Sequence, residues 1–304
     1  MTRLIFWRLV QLPFLLLIIY TVTFLLAWMI PGNPLEMDDA RQPSPEIREA
    51  MLAQYNLDNQ WVFYWEYLGN ALQGDLGPSL RAKDWRVSEI IGSALPVSLQ
   101  LGLGAILFAV LIGVTTGVIG SVRKGGVMDN ATLAVALVGI SLPTFVTGSL
   151  LLLIFTVNLG WLPVGWGSPQ QMLLPAITLS LPFAAYIARL TRMGMIEVLN
   201  SDFVRTARAK GVPPGRVVRV HALKVAFLPV LSFLGPAAAA AMTGSFVVEE
   251  VFNIPGMGEH FVAAVINKDL FLIMGVVLVY ATLLIVFNLL VDVAYHLVDP
   301  RIEQ

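Results

Sequence analysis

The stretch "LPVSLQLGLGAILFAVLIGVTTGVI", residues 95–119, runs for 25 residues without a charge. A hydrocarbon core about 30 Å thick takes roughly 20 helical residues at about 1.5 Å each, so this run predicts a membrane-spanning helix. Within it Ala105, Ala109, Gly113 and Gly117 recur every four residues and form one smooth stripe along the helix. Small residues at that spacing let a second backbone approach closely. The sequence leaves open whether the partner lies in this chain or on another subunit.

Working outward, 57% of the 304 residues are hydrophobic and 13% are charged, a balance that argues against a soluble globule. Five further apolar segments lie near 9–30, 131–157, 173–193, 225–248 and 271–296. The expected fold class is therefore an all-α membrane protein with six transmembrane helices. Arg3 and Arg8 flank the first segment, which exceeds a signal-peptide core in length and lacks a convincing small-residue cleavage site, so it reads as an uncleaved span. The absence of cysteine excludes disulfides, a thiolate nucleophile and cysteine-ligated metal.

Lys and Arg in short connections set membrane orientation. Connections 120–130 and 189–224 carry two and eight of them, whereas 158–172 and 249–270 carry none and one. The basic side is expected to be cytoplasmic, with both termini inside. Three regions follow: 1–30, a cytoplasmic stub and first helix; 31–94, an extracytoplasmic insertion; and 95–304, a five-helix core with a cytoplasmic loop at 194–224. The insertion holds 10 acidic and 5 basic residues and the aromatic run "WVFYWEYLGNALQGDLGPSL" (61–80). It reads either as an amphipathic subdomain on the outer membrane face or as a contact surface for an external protein.

The basic loop contains "NSDFVRTARAKGVPPG" (200–215). Asn200, Ser201 or Asp202 can cap a helix start, Gly211 can take the left-handed conformation at its end, and Pro213 and Pro214 forbid continuation. A helix of about two turns is marginal alone in water, so tertiary contact must hold it. Phe203, Val204 and Ala207 fall on one side, away from Arg205, Arg208 and Lys210. A plain positive-inside anchor explains the arginines; the small residues and the stop signal suit a face that docks into a groove of a soluble partner.

With these residues in view, "DFVRTARAKGVPPGRVVRVHALK" (202–224) resembles the cytoplasmic loop of permease subunits of binding-protein-dependent ABC importers, in the dipeptide, oligopeptide and nickel branch. That family's Glu-Ala-Ala-x-x-x-Gly pattern maps onto Arg205, Thr206, Ala207 and Gly211, departing at its first two positions. "MIPGNPL" (29–35), "EEVFNIPGMGEHFVAAV" (249–265) and "VDPR" (298–301) extend the resemblance, and the first of them with the insertion points to the B-type subunit. The resemblance implies a type I importer permease fold in a bacterial inner membrane. It also implies a second homologous permease, two ATP-binding subunits and an extracytoplasmic peptide-binding protein as partners, and no nucleic acid. Asp202, Phe203, Val204, Arg205, Thr206, Ala207, Arg208, Ala209, Lys210 and Gly211 would form the coupling helix seated on an ATPase subunit. Alternating access would follow ATP-driven closure of the ATPase pair. No Gly-x-x-x-x-Gly-Lys-Ser/Thr loop occurs, so ATP and Mg would be bound by the partners and no cofactor by this chain.

Other chemistry is weaker. His221, His260 and His296 lie in separate segments without metal-ligand spacing. Ser245 lacks a nearby histidine for a hydrolase, and Asp292, the one acid inside a predicted span, lacks a second carboxylate. No internal repeat supports an inverted-repeat secondary carrier, although a stand-alone membrane protein, either a secondary carrier or an intramembrane hydrolase, stays open as the alternative. Ser141, Thr144, Thr147, Thr243, Ser245 and Asn288 could line a passage or simply pack. Pro143, Pro182 and Pro236 are candidate kinks. Pro255, Gly256 and Gly258 in "FNIPGMG" predict a tight external bend which, with Glu249 and Glu250, forms a candidate external gate or binding-protein contact.

Overall fold

The computed structural model describes residues 2–31, 45–82, 84–122, 124–243 and 245–298. The motif at 29–35 lies mostly outside these residues, and that at 298–301 almost wholly so. Every regular element among the described residues is helical. The N-terminal helices are α1 (Thr2–Met29), α2 (Pro45–Gln54) and α3 (Gln60–Leu72). They are followed by α4 (Val87–Val122), α5 (Val127–Ser141), α6 (Thr144–Leu151), a π-helical turn (Leu152–Asn158) and α7 (Pro169–Leu199). Then come α8 (Asp202–Ala209), α9 (Pro214–Arg216), a second π-helical turn (Val217–Ala222), α10 (Leu223–Ala226), α11 (Leu228–Thr243), α12 (Phe246–Phe252), α13 (Met257–Ile266) and α14 (Leu270–Val298).

Four stretches are long and apolar enough to cross a membrane: Val10–Met29, Val87–Val122, Pro169–Leu199 and Leu270–Ala294. Two more qualify as bent pairs, Val127–Ser141 with Thr144–Asn158 and Pro214–Ala226 with Leu228–Thr243, the second bent by 54°. The spans expected at 131–157 and 225–248, each with a candidate proline kink, are therefore both broken. Pro143 sits at the first break, as the N-cap of α6. The second bend falls at Phe227, and its helix stops at Thr243, so 246–252 is a separate element. Pro182 and Pro236, expected as kinks, lie inside continuous helices; the lost hydrogen bond at each is absorbed without ending the element.

Contacts divide the chain into two units. The first comprises Ser98–Ile254 with the chain from Val286 on, and the second comprises Thr2–Val97 with Pro255–Ile285. In the first unit the small stripe of α4 meets α7 of the same chain. A Cβ at Gly113 would lie 2.6 Å from the Ala184 carbonyl oxygen, and one at Gly117 would lie 2.6 Å from that of Ala188. Ala105 and Ala109 are fully buried, and Ala109 shares a core with Ala184, Ile187 and Val230. The partner left open by the sequence is thus internal. Alongside, α5 is tied to α7 by an ion pair between Asp129 and Arg192, whose second contact is 2.8 Å. Asp129 also accepts the Gly125 N–H at 2.8 Å, so this carboxylate, 1% exposed, is well supplied with donors.

The second unit is built on aromatic packing. In α3, Phe63, Tyr64 and Tyr67 turn inward, whereas Trp61 and Trp65 face out, as helical spacing of the run "WVFYWEYL" requires. Tyr20 and Phe24 of α1 lie 4.9 and 5.1 Å from the Tyr64 ring, and the Tyr20 hydroxyl donates to the Tyr64 carbonyl. Asn59 caps α3 by accepting the N–H groups of Trp61 and Val62. Asp75 and Arg86 pair at 2.7 Å across a turn, which holds the Asp75 carboxyl below the usual range. Within that turn Gly77 has φ +77, and a Cβ there would strike the Phe271 ring at 2.3 Å, so no other residue fits. Asp269 stands before α14 and accepts from Leu272 N–H, Leu80 N–H and the Ser79 hydroxyl. Burial pushes its carboxyl up, against the downward pull of those bonds.

The α4–α7 contact is among the tightest packing in the first unit. Gly113→Val should destabilise the detergent-solubilised chain by about 1–3 kcal/mol, because the added methyls meet backbone that cannot yield. Leu107→Val, on the exposed face of the same helix, should stay within about 0.5 kcal/mol in the same thermal-unfolding assay.

Candidate functional site

The loop after α7 is joined to it by Asn200 and Ser201 alone, and α8 then runs for eight residues. Ser201 is its N-cap residue, with its hydroxyl donating back to the Val198 carbonyl rather than forward. The C-terminal end closes as the sequence requires. Gly211 takes φ +78, its N–H donates to the Arg208 carbonyl at 2.9 Å, and the Val212 N–H reaches the Ala207 carbonyl at 3.2 Å. This pair of reversed bonds is a Schellman motif, which satisfies carbonyls that a helix end otherwise leaves open. Pro213 and Pro214 follow at once and start α9.

Side chains on α8 divide differently from the expected face. Val204 is fully buried against Met195 and Val198 of α7 and against Val217, Ala222 and Ala226. Ala207 and Val212 pack on the same cluster. Phe203, expected beside them, instead stands 46% exposed. A two-turn helix cannot stand alone, so Val204 and Ala207 are used to seat it on its own chain. The outward surface consists of Phe203, Arg205, Thr206, Arg208, Ala209 and Lys210, with Asp202 at the start pairing to Arg205 at 3.3 Å.

The candidate gate residues separate as well. Glu249 is fully buried on α12, whereas Glu250 is exposed. The left-handed residue of the bend is Asn253, at φ 54 and ψ 55, where Pro255, Gly256 and Gly258 had been expected to make the turn. Gly256 is extended at φ −99 and ψ 178 and serves as the N-cap of α13; Gly258 is buried in that helix's first turn. Asparagine tolerates the left-handed region better than most residues, a signal present in the sequence but overshadowed by the glycines.

Among the candidate passage residues, Thr147 and Thr243 bond backbone carbonyls of their own helices at 3.0 and 2.9 Å. Ser141 is exposed and Thr144 half-buried at the α5–α6 break. Asn288 lies over Gly235, where a Cβ would come within 2.9 Å of its Oδ1. The Ser245 hydroxyl donates to Glu249 at 2.6 Å, joined there by that of Ser98 at 2.7 Å. Sequence reasoning missed Ser98, Asp129 and Arg192. The traces were a serine in an otherwise apolar run and two opposite charges at the edges of predicted spans.

The geometry can be set beside known proteins. A family model described as "Binding-protein-dependent transport system inner membrane component" matches residues 105–304. The oligopeptide transport system permease protein OppB of Haemophilus influenzae is 41% identical over 307 residues, covering 100% of both chains. The dipeptide transport system permease protein DppB of Bacillus subtilis is 41% identical over 290 residues, 95% of this chain and 94% of that one. Among solved structures, an inward-facing form of the MetNI methionine ABC transporter superposes with a TM-score of 0.54 at 19% identity. It covers 69% of this chain and 96% of its own, a likeness of fold.

The seat of α8 is testable without any partner. Val204→Asp buries a charge with no compensating group, at a cost of about 3 kcal/mol or more. Trypsin should then cut native membranes at Arg205 or Arg208 about a hundredfold faster, since cleavage follows local opening and each 1.4 kcal/mol is about tenfold. Thr206→Ala, on the exposed side, should leave the cleavage rate unchanged.

Proposed function

Because the chain belongs to the family of binding-protein-dependent transport system inner membrane components, we propose that it is the B-type permease subunit of an ATP-driven importer of di- and oligopeptides. The observation that carries this reading is identity at about the 40% level to oligopeptide and dipeptide permeases over 95% to 100% of the chain. In this reading each bent helix pair makes one span, giving six, with both termini and α8 on the cytoplasmic side and 31–94 outside. The basic bias of 120–130 and 189–224 supports that orientation. The chain forms half of the pathway and a second homologous permease the other half.

Residues 202–211 act as the coupling helix. Phe203 is the apolar anchor offered to an ATPase subunit, and Arg205, Arg208 and Lys210 frame it, while Val204 and Ala207 transmit the motion inward to α7. ATP and Mg are held by two partner subunits, whose closure draws the coupling helices together and opens the pathway to a docked peptide-binding protein. Glu250, Pro255, Gly256 and Gly258 belong to the outward loop that meets this protein. Ser141, Thr144, Thr243 and Asn288 are the groups of this chain from which a polar passage is drawn. Ser245 is set apart from them by its bond to Glu249.

The decisive test is purification of tagged chain from its native membrane in mild detergent, then reconstitution. Recovery of a second multi-span permease with Walker-containing ATPases, and peptide uptake that requires ATP and survives ionophores, is expected. Recovery of the chain alone in a folded state, or uptake abolished by ionophores, overturns the reading. Within the complex, Phe203→Ala should leave assembly intact and lower uptake about tenfold, as loss of an interface anchor worth about 1–2 kcal/mol would.

A further inference from the structure

Glu249 has no exposed surface, and its neighbours Val248 and Phe252 on α12 are equally buried. A carboxyl among apolar helices is costly unless donors meet it. Ser98 Oγ of α4 donates at 2.7 Å and Ser245 Oγ, one turn earlier, at 2.6 Å, both to Oε1. Both serines are themselves fully buried. The backbone of Glu249 closes the other end of α12, since its carbonyl accepts the Ile254 N–H at 2.8 Å across left-handed Asn253. One turn along α4, a Cβ at Gly102 would lie 2.5 Å from Met242 Cγ and 3.1 Å from Met242 Cα, so α4 and the end of α11 meet almost at backbone distance. Glu249 thus joins three points: the α11–α12 break through Ser245, the end of α12 through Ile254, and the seat of α12 on α4 through Ser98.

We propose that Glu249 is a positioning residue for transport, whose Oε1 holds α12 to α4 so that the two helices move as one body during import. This rests on the importer reading above. It differs from a carboxylate that binds a peptide's ammonium group or carries a proton, because the two hydroxyls converge on one oxygen that an amide can replace. A glutamine with its carbonyl oxygen at that point accepts both of these bonds and removes the ionisable group. A leucine of similar size accepts neither and leaves two buried hydroxyls to find other partners.

The test uses the complete complex in proteoliposomes, with ATP hydrolysis and lumenal uptake from a pool of di- to pentapeptides measured together by phosphate release and mass spectrometry. The parental complex is the reference for the importer reading: if it shows no ATP-dependent uptake, that reading fails, whatever the variants do. Given parental uptake, Glu249→Gln should import within about twofold of parental, as a conserved bond pattern requires. Glu249→Leu should assemble and hydrolyse ATP but import about tenfold less per ATP, because the helix pair no longer moves together. Should Glu249→Leu fail to assemble, Ser98→Ala, which keeps the Ser245 bond, should lower peptide imported per ATP about threefold, the effect of one lost hydrogen bond. An inactive Glu249→Gln overturns the proposal in favour of a role for the charge or for the second carboxylate oxygen. Parental coupling in Glu249→Leu or Ser98→Ala, or loss of uptake only in proportion to loss of assembled complex, overturns it in favour of no role or a purely structural one.

Discussion

The first unit depends on one close approach, the passage of α4 over α7 with nothing larger than hydrogen at Gly113 and Gly117. In lipid, apolar side chains gain little by leaving one hydrocarbon surface for another, so close van der Waals fit and satisfied polar groups must hold helices together. The α4 stripe supplies that fit over several turns, and α7 carries it onward. Because α8 follows α7 after two residues and packs back on Met195 and Val198, the position of this short helix is inherited from glycines in the apolar run. Any change in how α4 meets α7 reaches that helix through continuous backbone.

Several polar groups among the apolar helices follow a second rule, that donors and acceptors are matched where water is scarce, although the buried hydroxyls of Thr156 and Thr191 find no partner among the described residues. Asp129 takes the Arg192 guanidinium and a backbone N–H, Glu249 takes two hydroxyls, and Thr147, Thr178 and Thr243 return their hydroxyl protons to carbonyls on their own helices. Two polar matches between helices of the first unit, Asp129 with Arg192 and Ser98 with Glu249, sit beside close backbone approaches, where contact leaves little room for error.

How much of this was legible in the sequence depended on the range of the interaction. The short helix at 202–209 and its left-handed stop could be read directly, since capping and proline rules act within a few residues. The apolar runs and the small stripe were equally clear, as periodicity is local. The orientation of Phe203 and Val204 was not, because it depends on which of two neighbouring apolar residues meets α7. The bond between Ser98 and Glu249 spans 151 residues and leaves no local pattern. Asn253 was legible in principle, but glycines nearby gave a stronger turn signal.

The closure of α8 at both ends has a mechanical corollary. Two residues lead in, and a left-handed glycine with reversed hydrogen bonds followed by two prolines leads out. Neither joint contains slack, and Val204 rules out sliding between them. Such a linkage leaves few backbone torsions between the two helices in which a displacement imposed on α8 would be absorbed before it reached α7. The joints that hold so short a helix in place are the same ones through which a movement of it would have to pass.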